Sequence, residues 1–156
     1  MTYPIYRAVD VADALVRLSL SEQKPLTNLK IQKLTYIVYG YWLGFTNFQL
    51  FQDTVEAWQY GPVIPELYKQ LARHGANFIQ EPILKKNTIP KDSDAYQLIC
   101  AVYNKYKNLE AWQLVYLTHQ PNTPWSQTEQ ALPNRKAVIS PDVIRDYYKT
   151  HMIKPE

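Results

Sequence analysis

The chain has 156 residues, 17 basic and 14 acidic, for a net charge of +3, with 46% hydrophobic and 20% charged residues. That length points to one domain that buries its own core, and the composition excludes a wholly disordered chain. The charge is too mild to demand nucleic acid as a partner, and the single cysteine, Cys100, excludes an internal disulfide framework and cysteine-rich zinc sites. No basic-plus-apolar leader is visible at the start, and the longest apolar run, Tyr36 to Phe45, is about half of a membrane span. A soluble, reduced, cytoplasmic domain without membrane contact is expected. The 13 tyrosines and 4 tryptophans outnumber the 4 phenylalanines. Such amphipathic rings serve either a tyrosine-rich core or an interface.

Asp10 is a candidate N-cap for a first helix whose stripe is Val11, Ala12, Leu15, Val16 and Ser19, with Pro25 closing the helix or its trailing loop. Thr27 caps a second helix, with Leu26 and Ile31 forming a hydrophobic staple. Its stripe runs Ile31, Leu34, Ile37, Val38, Tyr41, Phe45, and Tyr36, Tyr39, Gly40 and Leu43 lie opposite. A helix apolar nearly all round is either central to the fold or covered by a partner. Residues 47–61 read as short strands or an extended loop near Gln49–Phe51 and Val55–Trp58, broken by Gly61-Pro62. A short helix follows, with Ile64, Leu67, Tyr68 and Leu71 as its stripe and Gly75 as its C-cap. Residues 76–91 read as a loop, or an edge strand around Ile79–Leu84.

A long helix is predicted from about Ser93 to Tyr106. Asn108 is a candidate cap for the next, whose Trp112, Tyr116 and His119 share one face and which Pro121 and Pro124 end. Ser140-Pro141-Asp142 opens the last helix, with Ile144, Tyr147 and Tyr148 facing inward. The expected fold is mainly α: a compact bundle of five to six helices with a small two-stranded β element, residues 1–156 forming a single domain.

The sequence carries no dinucleotide fingerprint, phosphate loop, Gly-x-Ser-x-Gly elbow or His-Glu-x-x-His pair, so no catalytic residue, metal or cofactor is expected. His119 reads either as a general acid–base or as a histidine at a helix C-terminus. Glu56 reads either as a base in an apolar strand or as the partner of Lys30 or Lys33. Cys100 reads as core. Lys85, Lys86, Lys91, Arg135 and Lys136 read as solvated loop positions, since no recognition helix or base-stacking module accompanies them.

Two segments carry a resemblance: LKIQKLTYIVYGYWLG and, about ten residues later, EAWQYGPVIPELYKQL, followed by Thr118-His119, Pro124-Trp125 and Ile139-Ser140. Together they resemble the Panacea antitoxin domain family, the SocA-like or GepA-like phage-associated proteins, over about residues 8–150. On that resemblance Lys33, Leu34, Gly61, Pro62, Pro65, His119 and Trp125 are motif residues with a structural role. The departures, Ile31 for a leucine and Thr35 for an apolar residue, suit a packed helix. The family implies an antitoxin that neutralises a protein toxin by direct contact, the toxin being encoded by the adjacent gene. Toxins paired with the domain include alarmone-synthetase-like enzymes. One branch instead delivers its toxin to an ATP-dependent protease. Some members carry a preceding DNA-binding region, for which this chain has no room, so operator binding is not expected. Tyr36, Tyr39, Trp58, Tyr60 and Tyr68 are expected to border the toxin-binding surface. For Trp58, Tyr60, Tyr68 and Trp125 the alternative is a place in the core.

Overall fold

The computed structural model describes residues 2–153. Its elements in chain order are α1 (Ala8–Ser21), β1 (Leu26–Thr27), α2 (Asn28–Thr46), β2 (Glu56–Trp58), β3 (Gly61–Val63), α3 (Pro65–Leu71), β4 (Phe78–Ile79), α4 (Asp94–Tyr106), α5 (Ala111–Thr118), α6 (Pro124–Ala131) and α7 (Pro141–Tyr147). The strands form two antiparallel pairs, β1 with β4 and β2 with β3. The fold is mainly α with a small β component, as expected. The described residues contain seven α-helices, one more than the upper expectation.

The additional helix is α6. Pro124 was read as a terminator, but it occupies the first helical turn, where a missing N–H costs nothing. Thr123 Oγ1 caps it by accepting from the Ser126 N–H at 3.2 Å. Two other caps shift for the same kind of reason. Helix α1 begins at Ala8, ahead of Asp10, with Arg7 as its N-cap. Asp10 sits one turn in and accepts from the Arg7 N–H at 2.7 Å, while Asp53 accepts from the Ala8 N–H at 3.0 Å. Helix α5 is capped by Glu110 rather than Asn108, and Gln113 reaches back to the Glu110 N–H at 2.7 Å. Thr27, Ser93 and Ser140 cap α2, α4 and α7 as the sequence indicates.

Helix α2 is the axis of the molecule. Every residue from Ile31 to Gly44 is buried, including Tyr36, Tyr39, Gly40 and Leu43 on the face opposite the main stripe. Helices α1, α3, α4, α5 and α7 and strand β3 all pack on it. Of the alternatives for a helix apolar all round, the structure selects the central one. The tyrosine surplus is largely core: Tyr36, Tyr39, Tyr41, Tyr103, Tyr106 and Tyr148 are all buried. The Tyr41 and Tyr106 hydroxyls meet at 3.1 Å, which satisfies their polar tips away from water.

Strand β4 is only Phe78–Ile79, shorter than the Ile79–Leu84 reading. The chain beyond it is held by Asp13, a fully buried carboxylate on α1. Asp13 accepts from the Ile83 and Leu84 N–H groups at 3.0 and 2.9 Å and from Arg17 Nε at 2.8 Å.

Gly40 and Gly44 lie one helical turn apart and admit the C-terminal segment. A Cβ on Gly40 would fall 2.2–2.6 Å from three ring atoms of Tyr148, and one on Gly44 would fall 2.6 Å from Ile153 Cδ1. Alanine at position 40 gains about 1 kcal/mol of helix propensity, but overpacking a core costs about 1–3 kcal/mol and here the obstacle is a stiff ring. Gly40→Ala is therefore expected to destabilise the protein by about 2 kcal/mol in urea unfolding. Adding Tyr148→Leu should recover part of the loss, and a neutral or stabilising Gly40→Ala would contradict the packing described.

Candidate functional site

The Glu56–Val63 stretch folds as a hairpin. Glu56 pairs with Val63, Ala57 with Pro62 and Trp58 with Gly61, leaving Gln59-Tyr60 as the turn. The expectation that Gly61-Pro62 breaks the β segment is corrected: the pair opens the returning strand. Proline is admissible there because it cannot donate a ladder bond and β3 is an edge. The outer edge of β2 is also paired, with Ala57 donating to the Ala137 carbonyl at 2.9 Å and Ile139 to Val55 at 2.7 Å. Gly61 has φ +111°, and a Cβ there would lie 2.9 Å from Lys33 Cε and from Thr118 Oγ1. Both the backbone conformation and the space exclude a larger residue.

Side chains from three helices hold this hairpin by its main chain. Lys33 Nζ donates to the Pro62 carbonyl at 3.1 Å. Gln32 Oε1 accepts from the Ile64 N–H at 3.0 Å. His119 Nε2 meets the Gln59 carbonyl at 2.9 Å, and Trp125 Nε1 donates to the Trp58 carbonyl at 2.7 Å. The His119 and Trp125 rings lie 3.8 Å apart, centroid to centroid. Leu34 is buried in the core and Pro65 starts α3 directly after the hairpin. The structure thus brings Lys33, Gly61, Pro62, His119 and Trp125 to one hairpin. Gln32, which the sequence reading left unassigned, joins them.

The second ring nitrogen of His119, Nδ1, meets the Val115 carbonyl at 2.8 Å. Both nitrogens face main-chain oxygens, and since a neutral imidazole carries one N–H, which of the two contacts is the hydrogen bond is set by the tautomer. Glu56 pairs with neither Lys30 nor Lys33, contrary to expectation. It accepts from Trp58 Nε1 at 2.8 Å, while Lys30 donates to the Lys107 carbonyl at 2.6 Å. Among the described residues no group of three or more His, Cys, Asp or Glu side chains is placed to hold a metal. Cys100 is half-buried on α4.

The aromatic residues assigned to a shared surface divide in two. Tyr36 and Tyr39 are 2% and 1% exposed. They are core residues on α2, which is covered on every side over Ile31–Gly44, and so they do not border an exposed surface. Tyr39 stacks on Phe51 at 4.5 Å. Trp58, Tyr60 and Tyr68 remain. Trp58 is half-buried, with Tyr68 against it at 5.1 Å and Lys136 Nζ 4.3 Å from its ring centroid. Tyr60, at the turn, is 59% exposed, and Tyr68 is also exposed. Lys136, read from sequence as a solvated loop residue, is a cation–π partner here; nothing local in the sequence marks it. Trp112 and Tyr116 are exposed on the face of α5 that ends at His119. Their i, i+4 spacing was visible in the sequence, though its outward direction was not.

Compared with known proteins, the chain matches the family described as "Antitoxin SocA-like, Panacea domain" over residues 31–126. The match covers the central helix, the hairpin and the His119–Trp125 clamp. The chain belongs to this family. It is also 30% identical over 124 residues to "Antitoxin SocA" of Caulobacter vibrioides (strain NA1000 / CB15N), an alignment covering 74% of this chain and 66% of that protein. The chain therefore spans slightly less than two thirds of that relative's length. No solved structure matches. Among the described residues no helix is long and apolar enough to cross a membrane.

Lys33 makes the Panacea hairpin sensitive to pH. Its side chain is 0% exposed and burial lowers the amine from 10.5 to about 7. Below pH 7 both folded and unfolded chains hold the proton, and the folded state bears the full desolvation penalty. Between about pH 7 and 10.5 only the unfolded chain stays protonated, so stability rises with pH. Unfolding free energy is expected to climb by about 2 kcal/mol from pH 7 to 8.5, a window below tyrosine ionisation. Lys33→Met should flatten most of the climb, the half-buried Lys30, also lowered by burial, supplying the remainder. An equal slope in the variant would contradict the assignment.

Proposed function

We propose that the protein is an antitoxin that neutralises a protein toxin by direct contact through the hairpin surface, with the toxin encoded by the adjacent gene. The observation that carries the reading is the membership of an antitoxin domain family, joined to where its motif residues sit. Lys33, His119 and Trp125 bond the hairpin's carbonyls and present Tyr60 outward. Trp58, Tyr60 and Tyr68 form the contact surface, and Trp112 and Tyr116 extend it along α5. Exposed aromatics beside a cation are the residues that most often dominate binding energy at protein interfaces. The reading treats residues 1–156 as one antitoxin domain acting in the cytoplasm, with no catalytic step.

The test is co-expression with the neighbouring reading frame, scored by growth, followed by calorimetry on the purified pair. The neighbour should be toxic alone and harmless with this chain. Tyr60→Ala and Tyr68→Ala should each weaken binding by about 1–2 kcal/mol or more without changing the melting temperature. A toxic neighbour that stays toxic beside well-folded antitoxin would reject the pair. A toxin whose half-life collapses when this chain is present, with rescue lost in a protease-deficient host, would replace occlusion by delivery to an ATP-dependent protease.

A further inference from the structure

The exposed side of α4 and the C-terminal half of α2 enclose a groove outside the hairpin surface. It consists of two cavities of about 410 and 470 Å³ that meet at Phe45, Leu98 and Ala101. Phe45 is 59% exposed, an unusual position for a phenylalanine on the most buried helix of the protein. Helix α4 contributes Asp94, Gln97, Leu98, Ala101, Val102 and Lys105 to the lining. These residues span about 16 Å of helix, three turns. The acid stands at one end and the base at the other, with Leu98 and Ala101 flanking the midpoint. Among the described residues neither Asp94 nor Lys105 forms an ion pair. Lys105 Nζ instead donates to the Tyr41 hydroxyl at 3.3 Å and lies 5.8 and 5.5 Å from the Tyr41 and Tyr106 ring centroids.

Reversing the direction of α4 maps this set onto itself. Asp94 exchanges with Lys105 and Leu98 with Ala101, while Val102, the counterpart of Gln97, lies in the core and takes no part in the contact. Two such helices laid antiparallel therefore set acid against base at both ends, and a large side chain against a small one on each side of the centre. A partner for the groove needs three helical turns with an apolar middle, a base near Asp94 and an acid near Lys105. The chain's own α4, run backwards, has that pattern.

We propose that this face is a two-fold interface with a second copy of the chain, built on antiparallel α4 helices. A closed isologous contact requires a self-complementary surface, and this stripe is one. Ala101 lets the two backbones approach, and Phe45 at the edge of the contact is withdrawn from water. The groove shares no residue with the hairpin surface, so the inference stands or falls independently of the toxin contact.

Sedimentation equilibrium of the 1–156 chain over about 1–100 µM tests it, a range that brackets a modest two-fold contact. A monomer–dimer equilibrium is expected. Asp94→Lys faces lysine with lysine twice, and Lys105→Asp faces aspartate with aspartate twice. Each should weaken the dimer about tenfold or more. The double variant restores opposite charges and should return to within about threefold of the original. Circular dichroism melting of each variant checks folding, and if Asp94→Lys does not fold, Lys105→Asp probes the same contact alone. A chain that stays monomeric throughout overturns the proposal, whether or not another protein fills the groove. So does a dimer indifferent to both single reversals, or one that the double reversal fails to restore.

Discussion

A nineteen-residue helix buried from Ile31 to Gly44 has to be covered on all sides, and that requirement arranges the rest of the protein. No single neighbour can cover a helix all round, so α1, α4, α5, α7 and the β3 edge each take a sector. The last sector is closed by Tyr148 and Ile153, and the Tyr148 ring approaches so near that a Cβ at position 40 would strike it. The core of this protein is thus organised around a rod rather than between two layers, and six of its tyrosines are buried in it, with the Tyr41 and Tyr106 hydroxyls paired.

The same helix supplies the anchor for the hairpin. Lys33 is an unusual choice for a fully buried position, since a hydrophobic residue would fill the space without the cost of desolvating an amine. Its return is a fixed bond to the Pro62 carbonyl, which an apolar side chain does not make. Together with Gln32, His119 and Trp125 it grips main-chain atoms only. Such a clamp is indifferent to the side chains at the turn. A tip held by its main chain loses little conformational entropy on binding.

Two outward features follow from different physics. The hairpin surface is aromatic with a cation over the indole, which suits desolvated contact with another protein. The α4 stripe is weakly apolar with opposite charges at its ends, which suits orientation and register more than raw affinity. The two surfaces share no residue, so the proposed self-association and the proposed toxin contact do not compete for the same side chains.

The helices were legible because their signals are local. Thr27, Ser93 and Ser140 cap the segments that follow them, and stripe spacing located the inward faces of α1 and α7. Errors arose where one residue type serves two purposes. Pro124 and Pro62 both read as stops, yet a proline also fits the first turn of a helix and the edge of a sheet. The motif pointed to the right hairpin through its resemblance to a family. Sequence alone could not say that Tyr36 and Tyr39 face inward while Tyr60 faces out, because exposure on a helix apolar all round depends on which neighbours cover it. Nor could it place Lys136 over Trp58 or Lys33 under Pro62, contacts between residues far apart along the chain. What the sequence determined by itself was most of the helical segments, α6 excepted, and which family they compose, because both rest on short-range pattern. Which aromatics are exposed and which fill the core was decided by packing, since burial is a property of the whole assembly of elements and of no one of them.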